Sequence, residues 1–155
     1  MSHFKLIQLL KEPADEDNRL RDYEINDDTR LREESDGWDE EPLEEAIDSV
    51  ECYLKEIGTV DKKKKTFTFF DKQTVKDKYI ASMKSVFANW KKKINGGKID
   101  LAEYQLRTGV KEACYIDDLF YYDGYIHYAS ALIADYLAGY IPETMHIGTV
   151  FNCHR

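Results

Sequence analysis

Residues 12–45 carry sixteen Asp and Glu against four Arg, a balance of −12. A segment so charged and with so little apolar periodicity reads as loop-rich, and such charge asymmetry points to an interaction segment on an otherwise ordinary body. The flanks of the segment are nearly neutral. Residues 1–11 sum to +2, and residues 46–155 hold sixteen basic and fourteen acidic groups, again +2. The net charge of −8 is thus a local property of one segment. With 155 residues and 43 % hydrophobic content, the remainder suffices for one domain with its own core. The expected organisation is a single domain over 1–155, with an acidic, loop-rich insertion at 12–41.

Hydrophobic spacing sets the expected elements. "HFKLIQLL" at 3–10 reads as a buried strand, with a helix turn as the alternative. "PLEEAIDSVECYLKEI" at 42–57 predicts a helix: Pro42 suits the first helical position, where its missing N–H costs nothing. Leu43, Ala46, Ile47, Val50, Leu54 and Ile57 form one apolar stripe, and Gly58 is its expected stop. "KTFTFF" at 65–70 reads as a strand behind the charged turn "DKKKK". Residues 72–94 predict a second helix, with Val75, Tyr79, Ile80, Met83, Val86, Phe87, Trp90 and Ile94 facing inward and "NGG" ending it. "IDLAEYQLRTGVKEAC" at 99–114 predicts a third, with Asp100 as its N-cap.

Two signals conflict near the C-terminus. Asp123-Gly124 between aromatic runs is a hairpin signal. Against it, "ASALIADYLA" is poor strand sequence and suits a helix, so the reading favours a buried helix over about 124–138. "MHIGTVFNC" at 145–153 then makes a last strand, able to pair with the first. The fold class is α+β, a small sheet of N-terminal, 65–70 and C-terminal strands packed with about four helices.

Several function classes lack their signatures. The opening "MSHFKLIQLLKEP" has no h-region and small-residue cleavage site of a signal peptide. "YIHYASALIADYLAGYI" is interrupted by His127 and Asp135 and too short for a membrane span, so no membrane association is expected. Cys52, Cys114 and Cys153 form no CxxC pair, which suits reduced thiols in a cytoplasmic protein, and Cys52 and Cys114 read as small core residues. No phosphate-cradling loop, HExxH or EF-hand is present, and no cofactor or metal is expected. His146, Cys153 and His154 do not have the spacing of a familiar metal site. "KKKK" at 62–65 and "KKK" at 91–93 suit a turn and a helix end, and the overall charge argues against direct nucleic-acid binding.

One constellation resembles a catalytic site. Asp117, Asp118, His127 and Asp135 lie among tyrosines; Asp and His can act as acid and base, and adjacent Asp can hold Mg²⁺. A metal-dependent phosphoesterase or nuclease is the enzymatic alternative. The plainer reading makes these residues caps and hydrogen-bonded core-edge groups, with Asp135 in need of a partner if buried.

The stretch "EESDGWDEEPLEE", Glu33–Glu45, holds eight carboxylates, no Lys or Arg, and Trp38 at its centre. Glu44 and Glu45 are explained by the helix dipole in the first turn that follows; those upstream are not. A solvated loop, a metal-binding loop and an acidic docking surface are the competing readings, and the metal loop is the weakest because "DGWDEE" lacks an EF-hand's ligand alternation. Interfaces favour Trp, and clustered carboxylates steer a basic partner. The functional expectation is a small acidic inhibitor or immunity-type protein. It would occlude a basic active site or nucleic-acid-binding surface of a partner protein, by nucleic-acid mimicry in one form. Glu33, Glu34, Asp36, Trp38, Asp39, Glu40 and Glu41 would form the contact surface. A secretion chaperone or adaptor, also commonly small, acidic and α+β, is the alternative among binding proteins.

Overall fold

Two long apolar strands form the centre of the protein. β1 (His3–Leu10) and β7 (Thr144–His154) run antiparallel, from His3 opposite His154 to Leu10 opposite His146. The computed structural model describes residues 3–25, 31, 35–97 and 119–154. On the outer side of β1 lie β5 (Leu119–Tyr122), parallel to it, and then β6 (Tyr125–Tyr128), antiparallel. On the outer side of β7 two short strands lie end to end. β4 (Thr66–Phe69) pairs with its start, and β2 (Gly37–Glu40) pairs with its end. β3 (Gly58–Asp61) completes the sheet beside β4. The order is β3-β4-β7-β1-β5-β6, with β2 also against β7. Four helices join these seven strands among the described residues: α1 (Asp22–Ile25), α2 (Leu43–Leu54), α3 (Lys72–Asn95) and α4 (Ala129–Ala138). The α+β class and the pairing of first and last strands agree with the sequence.

Each face of the sheet carries a core. On one, Ile7, Leu9, Phe120, Met145, Ile147 and Val150 meet Ala46, Val50 and Leu54 of α2, Val75 of α3, and Leu132, Ile133 and Tyr136 of α4. On the other, Phe4, Leu6, Leu119, Ile126, Phe151 and Cys153 are covered by Leu20, Ile25 and Leu31. The acidic segment is therefore a layer of the fold. Its Leu20, Ile25 and Leu31 side chains are at most 3 % exposed, and each contributes about 1.5–3 kcal/mol by its burial.

Serving two cores from one strand pair requires an irregularity. Met145 and Ile147 of β7 face the first core, but so does Val150, while Phe151 and Cys153 face the second. Strict alternation would forbid this. The register supplies the shift: Ile7 is opposite Val150 but Leu9 is opposite Ile147, so β7 has one extra residue at Gly148–Thr149. The Gln8 side chain, 2 % exposed, fills the bulge. Its Oε1 accepts from the N–H of Thr149 (3.1 Å) and of Leu20 (2.9 Å), and its Nε2 donates to Asn18 O (2.8 Å). Glycine at 148 makes room for this amide: a Cβ there would lie 2.3 Å from Gln8 Oε1, so the amide would have to shift from its three bonds.

Several expectations are corrected. The helix predicted over 42–57 ends at Leu54, and Gly58 begins a strand instead of capping the helix. A side chain at Gly58 would meet the Phe67 ring at 2.4 Å, so close strand packing selects the glycine. The helix predicted over 124–138 starts at Ala129; Asp123-Gly124 closes the β5–β6 hairpin with φ of 51° and 83°. The stripe of the 72–94 helix is buried only at Val75, while Ile80, Phe87 and Ile94 are exposed. Cys52 is exposed, pointing away from the apolar stripe of α2. The helix predicted at 99–114, with Cys114, lies outside the described residues.

The bulge generates a prediction. Gln8→Leu leaves two buried N–H groups without acceptors and should destabilise the protein by about 3 kcal/mol in urea unfolding. Gly148→Ala should cost about 1–3 kcal/mol alone through overpacking, and much less in a Gln8→Ala background, where the clashing amide is gone. Additive costs would show that the two positions do not share the bulge.

Candidate protein-docking surface

Local hydrogen bonds give the acidic layer its shape before any partner is present. Asp15 Oδ1 accepts from the N–H of Asp17 (2.8 Å) and Asn18 (3.0 Å), and Asn18 Oδ1 accepts from Asp15 N–H (2.8 Å). This reciprocal turn delivers Asn18 and Leu20 to Gln8. Glu24 Oε2 then accepts from Arg21 N–H (2.6 Å), half of a capping box that starts α1 and sends Ile25 inward. Further on, Ser35 is buried, its Oγ 2.8 Å from His154 O, and Asp36 N–H donates to His154 O (2.8 Å). These bonds dock the start of β2 on the end of β7.

β2 places the residues singled out in the sequence. Trp38 pairs with Cys153 and is half-buried, its indole packed against the second core and its N–H donated to Asp22 of α1. Much of its apolar surface is thus used within the protein, fastening β2 to α1. Asp39 and Glu40 project outward: 82 % of the Asp39 side chain and 53 % of the Glu40 side chain are exposed. Asp39 meets His154 at 3.0 Å and Glu40 meets Arg19 at 3.2 Å. Asp36 is exposed. Glu41 differs: it forms an ion pair with Lys5, the two side chains only 12–13 % exposed, and Ser49 Oγ lies 3.4 Å from it. Glu33 and Glu34 lie outside the described residues.

The structure adds members that the sequence reading passed over. Glu12, Asp15, Glu16, Asp17, Asp22 and Glu24 are exposed on the layer that packs beside β2. Arg19 and Arg21 are the basic residues among them, and both are engaged: Arg19 with Glu40, Arg21 with the Glu16 carbonyl at 2.6 Å. The spacing of charge in 12–24 could have indicated this. The apolar residues Leu20 and Ile25 would have shown which side turned inward. Two clefts, of about 270 and 240 Å³, share Glu16 and Arg19; the larger is also lined by Lys64, Lys65 and His146 of the facing edge.

No protein-family model, curated protein or solved structure matches the chain.

The enzyme-like constellation resolves differently. Tyr122 O–H donates to Asp135 Oδ2 at 2.6 Å, giving that carboxylate its partner, and the His127 ring stacks on Tyr122 with centroids 4.0 Å apart. His127 Nε2 is buried with no hydrogen-bond partner among the described residues. Asp117 and Asp118 lie outside the described residues. His146 and His154 sit eight residues apart on β7, about 27 Å at ~3.4 Å per residue, so they do not gather with Cys153 at one site. Among the described residues, no three His, Cys, Asp or Glu side chains converge as metal ligands, and no helix is long and apolar enough to cross a membrane.

Burial, and then the bond to Asp135, raise the Tyr122 phenol well above its ordinary value. A raised folded-state pKa gives stability that is fully present below the unfolded value of about 10 and is lost as pH rises above it. Thermal melts from pH 8 to 11.5 should therefore show a steep alkaline decline that is shallower in Tyr122→Phe. The variant itself should lose roughly 1–3 kcal/mol at neutral pH, because Asp135 loses its donor.

Proposed function

We propose that this protein binds a basic protein partner through the acidic layer and its edge strand β2, and acts as an inhibitor or immunity-type protein that covers the partner's cationic surface. The carrying observation is the orientation of the segment. Leu20, Ile25, Leu31 and part of Trp38 face the core, while Asp15, Glu16, Asp17, Asp22, Glu24, Asp36, Asp39 and Glu40 lie on the solvent side. Exposed carboxylates contribute little to stability, and their mutual repulsion opposes folding. Their field is useful toward an opposite charge, where it can raise association rates by factors of ten to a thousand. A fixed array of carboxylates also suits occlusion of a nucleic-acid-binding surface, because it offers that site negative charges in a preorganised arrangement. The charges have a second use at β2, an edge strand on which they discourage pairing with other chains.

The test is affinity capture of the partner with the wild-type chain, then stopped-flow association with the purified partner over a salt series. Asp36→Asn, Asp39→Asn and Glu40→Gln together should leave the urea midpoint nearly unchanged and slow association by about tenfold at low salt. The difference should shrink as salt rises toward about 1 M. An association rate independent of both salt and the three substitutions would remove the steering role from this surface.

A further inference from the structure

A second surface, of opposite charge, lies on α3. Its 24 residues span about 36 Å, and Val75 near its start is the one buried side chain. Ile80, Phe87 and Ile94 recur at intervals of seven and are 37, 51 and 41 % exposed. Met83 and Trp90, each three residues after a member of that row, are half-buried, and Trp90 meets Phe87 edge to face with centroids 6.4 Å apart. The five form the alternating three-and-four seam that one helix offers to another. Lys84 and Lys91 occupy the positions beside the seam on its exposed side, Lys93 the corresponding position on the other. None of the three forms an ion pair among the described residues. The whole helix has seven Lys and one Asp, a net +6.

We propose that this seam is a docking site for an amphipathic partner helix with an apolar stripe and acidic flanks. Charge complementarity selects the occupant. A second copy of α3 would bring lysine against lysine, which opposes pairing through this face. An anionic bilayer requires a broad apolar face, whereas here one side of the stripe is turned toward the protein and a narrow row remains. A helix with carboxylates flanking its seam would place them opposite Lys84 and Lys91 while its apolar side chains fill the spaces between Ile80, Phe87 and Ile94. This site is independent of the acidic layer, and its test does not involve it.

The probe is a stapled three-heptad helix with Leu along its seam and Glu on its flanks, titrated calorimetrically into the full chain beside a twin with Lys on its flanks. The Glu-flanked helix should bind at least about tenfold more tightly than the twin. Phe87→Ala should weaken it by about tenfold with little change in melting temperature, because the side chain is exposed. Lys84→Glu with Lys91→Glu should reverse the preference between the two peptides. Failure of both peptides to bind, or equal binding of both, overturns the proposal. So does sedimentation of a dimer that Phe87→Ala dissolves, which would make a second copy the occupant. Co-sedimentation with phosphatidylserine vesicles in the absence of peptide binding would make it a membrane, with the same result for the proposal.

Discussion

The Gln8 carboxamide holds together parts of the protein that would otherwise have no reason to meet. It sits in a bulge that lets β7 change the facing of its side chains halfway along, so that Met145, Ile147 and Val150 build one core and Phe151 and Cys153 the other. The same amide bonds Asn18 and Leu20 of the acidic layer. Sheet irregularity and layer attachment are therefore one event. A side chain at residue 148 would displace the Gln8 amide, and the three bonds call for a side chain with both donor and acceptor at residue 8. Leucine in place of Gln8 would match its size but not the three bonds.

Attachment matters because the layer is electrostatically unfavourable to itself. Sixteen carboxylates against four arginines in residues 12–45 would favour an extended, solvated chain. The segment is held by a few apolar side chains at one face and by short-range bonds such as the Asp15–Asn18 turn, while most described carboxylates remain in water and avoid the cost of burial. Glu41 is the exception, and its pairing with Lys5 explains how a carboxylate can be accommodated at the sheet. Order imposed from the core and charge directed outward together make a preorganised acidic surface. Preorganisation reduces the ordering cost that a disordered acidic tail would meet on binding. The lysine-flanked seam of α3 gives the molecule a second, oppositely charged surface.

Much of this was legible in the chain. Long apolar runs marked β1 and β7, three-and-four spacing marked α2 and α3, and the charge imbalance marked the layer. Other features depended on tertiary context. The region after Asp123-Gly124 is both turn signal and helix former, and both are true in succession, because "YIHY" pairs with β5 before "ASALIADYLA" turns helical. β3 was missed because four residues, "GTVD", carry too little periodicity to register. The bulge was visible only as a broken alternation in "MHIGTVFNC", meaningless without the opposing Gln8. At the candidate surface, charge identified Asp36, Asp39 and Glu40 as solvent-facing residues. It could not show that Glu41 pairs with Lys5 or that Trp38 leans on the second core, since those partners lie far away in sequence.

The account depends on the acidic layer opening and closing with the sheet as one unit. Native-state amide hydrogen exchange at Leu20 and Thr149, the two N–H groups that share Gln8 Oε1, tests this directly. Both amides should exchange as slowly as those of β1 and β7, and both should become fast together in Gln8→Ala while the β4 amides remain protected. Exchange of Leu20 at the rate of a free peptide while Thr149 stays protected would show that the layer comes away from an intact sheet, and would contradict the account.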